Sequence, residues 1–90
     1  MVSKDLTRRV REALERTDIM ALSTIGANGP WTAPVQYRYN EMLDLFFLSM
    51  PGAKHARHIL CDPRVSVAIY SHPGPPDGNL GLQISGTAST

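Results

Sequence analysis

The chain has 90 residues, 42% of them hydrophobic, and nine Lys and Arg against eight Asp and Glu give a formal charge of +1. A single small domain of this length buries only about 60% of its unfolded surface, a thin margin that such folds widen with disulfides, metals or a partner subunit. One cysteine, Cys61, excludes an internal disulfide and suits a reducing compartment, and the near-neutral charge gives no electrostatic argument for nucleic acid.

Cys and His do not cluster at zinc-finger spacing, so a partner subunit is the expected support. The N-terminus turns amphipathic after five residues, unlike a secretory signal. No apolar run approaches the roughly 20 residues that cross a bilayer. The expected location is the cytoplasm.

Leu6, Val10, Ala13 and Leu14 fall at helical spacing, with Arg8, Arg9, Arg11, Glu12, Glu15 and Arg16 on the other faces. This predicts an amphipathic helix over residues 4–16, capped by Ser3 and carrying a solvated charged face. The period then changes. Residues 19–25 form an apolar strand, and 26–30 are dense in turn formers, with Asn28-Gly29 a hairpin signal. In the return strand, 31–39, Val35, Tyr37 and Tyr39 alternate with polar residues. Pro34 removes a ladder donor there, which predicts an edge or an irregularity at that point.

A second turn is expected at 40–42 and a third strand at 43–49, whose Leu45-Phe46-Phe47-Leu48 core suggests burial on both faces. Met50-Pro51-Gly52 breaks it. Ala56, Ile59 and Leu60 stripe a helix over 53–60, and Asp62-Pro63 stops that helix. Val65, Val67 and Ile69 open a fourth strand to about residue 71. Residues 72–79 are a loop by composition, and Leu80, Leu82 and Ile84 begin a fifth strand that can continue to 90. Short connections favour antiparallel neighbours in a barrel or strongly curled sheet. The last strand leaves an edge to be covered, either by a subunit or by a longer chain.

Two places carry candidate chemistry. Between the third strand and the second helix, Ser49, Gly52 and Lys54 join a hydroxyl, a flexible loop and an ammonium to a helix N-terminus, a combination that suits a phosphate. The alternative is an ordinary loop with a surface lysine, since no Walker or dinucleotide Gly pattern is present. His55, His58 and Cys61 step by three along the helix, and two solvent-side histidines with a buried thiol fit them better than a metal site. Trp31, Tyr37, Tyr39, Phe46, Phe47 and Tyr70 are expected in the core, because basic residues do not surround them as they would a nucleic-acid platform.

Together these stretches resemble the pyridoxamine 5′-phosphate oxidase-like, FMN-binding split-barrel family. The resemblance runs along nearly the whole chain. It rests on Met20-Ala21-Leu22-Ser23-Thr24 with its hairpin, Trp31-Thr32-Ala33-Pro34-Val35, Leu45-Phe46-Phe47-Leu48-Ser49, Lys54 through Val65, and Gln83-Ile84-Ser85-Gly86-Thr87-Ala88. It implies a mainly β fold: an antiparallel split β-barrel with an N-terminal helix and one helix between strands 3 and 4. Residues 1–90 would be a single FMN-binding domain without the C-terminal helix and strand of longer relatives.

The resemblance places Pro34, Val35 and Gln36 along the flavin ring, and Ser49 and Lys54 at the FMN phosphate. His55 stands where the family often has a second basic residue, which makes half of that charge clamp titratable. A homodimer with the cofactor at its interface is implied, acting on a small-molecule substrate as a flavin-dependent oxidoreductase. No side chain stands out as an acid–base catalyst, and the flavin would carry the redox step. Relatives leave open a deazaflavin or haem in the same barrel, and a cofactor-free dimerising or ligand-sensing domain is the alternative from another class.

Overall fold

A computed structural model describes residues 4–72, 78 and 80–90. Its elements run α1 (Lys4–Glu15), β1 (Ile19–Gly26), β2 (Gly29–Tyr39), β3 (Leu45–Phe47), α2 (Lys54–Cys61), β4 (Arg64–Ser71) and β5 (Leu80–Thr87). The expected cap Ser3 and most of the loop at 72–79 lie outside the described residues. The strands form one sheet in the order β3-β2-β1-β4-β5, every neighbour antiparallel. The fold is the expected curled, mainly antiparallel sheet with two helices.

The β1–β2 hairpin sets the register. It closes on Ala27 and Asn28, a tighter turn than the five residues expected, because Gly29 takes φ +112° and lets β2 start at once. Met20, Leu22 and Thr24 of β1 stand opposite Val35, Ala33 and Trp31 of β2, all on one face. Met20, Leu22, Val35, Tyr37, Val67 and Ile69 form the core on that face, joined by Leu14 from α1. Ile59 of α2 packs against the same cluster. Both helices therefore cover the inner face, and each fully buried Leu, Ile or Met contributes about 1.5–3 kcal/mol. By alternation, the outer face carries Ile19, Ala21, Pro34, Phe46, Ala68 and Tyr70.

One tyrosine ties helix to sheet. The Tyr37 hydroxyl reaches the carbonyls of Leu14 and Thr17, each at 2.8 Å, and so serves the C-terminal end of α1, where backbone acceptors run out of helical donors. The charged face of α1 is solvated as expected, with Arg8–Asp5 and Arg16–Glu12 pairs along it.

Pro34 meets its expectation through topology. Tyr37 donates its N–H to Asp18 O on the β1 side, so by alternation the ring nitrogen of Pro34 faces away from β1. On that side β3 pairs only with Tyr37, Arg38 and Tyr39, which leaves residues 31–36 of β2 as an open edge.

Four further expectations are corrected. The third strand covers 45–47 instead of 43–49. Asn40 closes a turn through Leu43 N to Asn40 O and Asp44 N to Asn40 Oδ1, and Leu43 takes φ +66°, which no strand residue adopts. Nor is this strand buried on both faces, for Phe46 points outward and Leu48 beyond it is 97% exposed. The aromatics divide: Tyr37 is buried and Tyr39 and Phe47 half-buried, whereas Trp31, Phe46 and Tyr70 are exposed. The helix is turned opposite to expectation, with Cys61 exposed and both histidines half-buried toward the sheet.

Candidate functional site at the start of the second helix

The chain leaves β3 at Phe47 and enters α2 seven residues later. Ala53 N donates to Met50 O at 2.9 Å to close the intervening turn, and Arg57 N to Ala53 O at 3.0 Å starts the helix. Ala53 has no side chain able to cap, and no acidic residue lies in the first turn. The positive end of α2 is therefore uncompensated by local side chains.

Lys54 adds a full charge there. Its side chain is half-buried, and the ammonium lies 4.1 Å from the centroid of the Trp31 ring. Among the described residues no carboxylate comes within salt-bridge distance of it. His55, next along, places its ring 6.2 Å from that of Phe47, and its Nε2 is buried without a hydrogen-bond partner. Ser49 is half-buried on the way in, its hydroxyl turned locally to Met50 O at 3.2 Å. A cation, an orphaned imidazole nitrogen and a hydroxyl thus fall within residues 49–55 of the chain, each a group able to donate to an anion.

The three β2 candidates divide between faces. Val35 is buried in the core, and by the same alternation its backbone N–H and C=O face Met20 of β1, so neither its side chain nor its backbone polar groups are open to a ligand. Pro34 and Gln36 are exposed on the opposite face, and Gln36 Nε2 donates to Asp18 Oδ2 at 2.6 Å. The link between β2 and the helix start is Trp31, at the beginning of the open edge. Sequence reasoning assigned Trp31 to the core and missed this contact.

It also missed what fixes α2 in place. Thr24, only 1% exposed, holds His58 Nδ1 at 2.9 Å from its hydroxyl. The imidazole lies against Gly26, where an added Cβ would come within 2.2 Å of His58 Nε2. Thr24 and Trp31 are cross-strand partners, and Lys54 and His58 are one helical turn apart. The pairs meet as two rungs between hairpin and helix. A glycine ending an apolar strand, with a histidine in the following helix, was the only available signal.

A curled antiparallel sheet with both helices on its inner face, and a cationic strand-to-helix turn beside an open strand edge, defines a split-barrel protein. The model of the pyridoxamine 5′-phosphate oxidase family matches residues 6–90, and the chain belongs to that family. A comparison with curated proteins finds no match. Among solved structures, an FAD-binding protein from Mesorhizobium loti is 26% identical with a TM-score of 0.74, the match covering 90% of this chain and 58% of that one. A haem-binding protein from Mycobacterium smegmatis is 24% identical with a TM-score of 0.78, over 97% of this chain and 37% of that one. The haem storage protein of Vibrio cholerae is 22% identical with a TM-score of 0.74, over 91% and 60%. The chain therefore spans less than two thirds of the length of each. No helix among the described residues is long and apolar enough to cross a membrane.

Proposed function

We propose that this chain binds FMN between two copies of itself and works as a flavin-dependent oxidoreductase, or as the flavin-binding part of one, in the cytoplasm. The observation that carries the reading is the Lys54 ammonium, free of any carboxylate among the described residues, at an uncapped helix start in a chain of this family. The residues present fit the group. Lys54, His55 and Ser49 would hold the phosphate, and the unburied edge of β2 around Pro34 and Gln36 would lie along the ring system.

When bound, the isoalloxazine supplies the electron transfer. The chain's own residues bind and orient. Lys54 neutralises phosphate charge as a point cation. His55 offers Nε2, the one imidazole atom here that is buried and unpaired. The side of β2 that β3 leaves uncovered presents backbone N–H and C=O groups at Thr32 and Gln36 but only a carbonyl at Pro34. A second copy would exclude water from this edge.

The test is an absorption spectrum of freshly purified protein with and without added FMN. Flavin bands that survive gel filtration, FMN released on denaturation, and weaker retention in Lys54→Ala are expected. Colourless protein that takes up no FMN contradicts the reading. A second reading, haem in the same barrel, is favoured by the likeness to the haem proteins of Mycobacterium smegmatis and Vibrio cholerae. A Soret band in the same spectrum would decide for it.

A further inference from the structure

Lys54 is held where it is by an unusual neighbour. A lysine on the first turn of a surface helix ordinarily samples many rotamers, and ordering it carries an entropic cost. Here the side chain is half-buried and its ammonium sits 4.1 Å over the indole of Trp31. Trp31 is 42% exposed, so it supports the cation from one side without enclosing it. Below this contact, the Thr24–His58 bond fixes helix to hairpin one turn further on. Trp31 and Thr24 face each other across β1 and β2, so the distance between helix and indole is set by the hairpin itself.

We propose that Trp31 is a positioning residue for Lys54: its indole face holds the ammonium ready for the phosphate of the ligand, and so sets the preference for phosphorylated over unphosphorylated flavin. This rests on the flavin reading above. An indole suits the role better than a carboxylate. A carboxylate would neutralise the lysine and repel the incoming phosphate, whereas a quadrupole attracts the cation without cancelling its charge. Phenylalanine gives a weaker face and leucine none.

The experiment compares FMN with riboflavin, which differ only in the phosphate, on wild-type protein and on Trp31→Leu, Trp31→Phe, Lys54→Met and the double variant Trp31→Leu/Lys54→Met. Binding is followed by quenching of flavin fluorescence, and circular dichroism checks the fold. Trp31→Leu is expected to weaken FMN by about three- to tenfold while leaving riboflavin within about twofold. Trp31→Phe should lose less. In the Lys54→Met background, removing the indole should change the FMN preference no further.

Trp31 is the only tryptophan in the chain, so its emission supplies a readout independent of any ligand. Lys54→Met is expected to shift that emission in ligand-free protein, and unchanged emission overturns the contact. Should Trp31→Leu fail to fold, Trp31→Phe and the emission comparison decide. A wild-type protein that binds FMN, with the same preference over riboflavin in Trp31→Leu or Trp31→Phe, overturns this proposal alone. A wild-type protein that takes up neither flavin overturns the flavin reading and this proposal with it.

Discussion

At the scale of single residues, Gly26 has no room for a side chain. It takes an ordinary backbone conformation, so its requirement is for space: the His58 ring occupies the volume a Cβ would fill. Gly26→Ala must push the imidazole away and break its hydrogen bond with the buried Thr24 hydroxyl. A buried hydroxyl left without a partner costs about 1–3 kcal/mol. We expect Gly26→Ala to lower unfolding free energy by that order in denaturant melts, and His58→Ala to cost much less in the Gly26→Ala background than alone. Equal costs in both backgrounds would show that the two do not share a contact. At the other end of α2, hydrogen bonds from the Arg64 side chain and backbone hold the Asp62 carboxyl down to about 2. Its pairing is complete above the ordinary value of 3.8 and is lost as pH falls toward 2. An NMR titration should find the midpoint near 2 in the wild type and closer to 3.8 in Arg64→Ala. Arg64 is exposed and Asp62 only half-buried, so little stability should depend on the pair.

Between elements, Tyr37 joins β2 to α1. Tyr37→Phe keeps the ring in the core and removes only the hydroxyl that serves Leu14 O and Thr17 O. The expected loss is about 1–2 kcal/mol at neutral pH, read by chemical denaturation. Burial, with the charges of Tyr39 and Asp18 adding to it, raises this hydroxyl above its ordinary value of 10.0. The unfolded chain therefore releases the proton first. The contribution of Tyr37 is whole below about pH 10 and is lost as pH rises through the folded value. Stability of the wild type should fall in that range more steeply than that of Tyr37→Phe, and parallel curves would count against the assignment.

Elements were legible from sequence wherever side-chain period alone decided them. β1, β2, β4 and α1 alternate or repeat on a half-buried surface, and their bounds fell within a residue or two. β3 was misread because an apolar run states that burial is wanted without stating by what. Leu48 and Phe46 are hydrophobic yet uncovered in the single chain, and Leu43 lies in a turn held by Asn40. The helix start was legible as a candidate anion site from Ser49, Gly52 and Lys54. Its support was not, because Trp31 lies 23 residues earlier and the pairing depends on hairpin register and helix phase together. The same limit hid the inward turn of His58, which only the missing Cβ of Gly26 makes possible.

For the molecule as a whole, the two faces of the sheet are treated unequally. Both helices cover the inner face, and no described element covers the outer one. There the register lines up Pro34, Ala21, Ala68 and Gln83 in one row across four strands, with Ile19, Phe46 and Tyr70 around it. Small side chains in the middle of a sheet face let a second sheet approach closely, and exposed apolar residues at its margin benefit from being covered. In a chain with so small a core, we expect that cover to be a second copy, which would also close the open edge of β2. Ala68 is exposed, so Ala68→Arg should cost the single chain little, yet it places a long cation at the centre of the row. Sedimentation equilibrium should give the wild type a mass of two 9.9 kDa chains and Ala68→Arg a mass of one, with circular dichroism unchanged and FMN uptake lost alongside the dimer. A wild-type protein that sediments as a single chain at micromolar concentration, or an Ala68→Arg variant that stays paired, would mean the outer face is not where two copies meet.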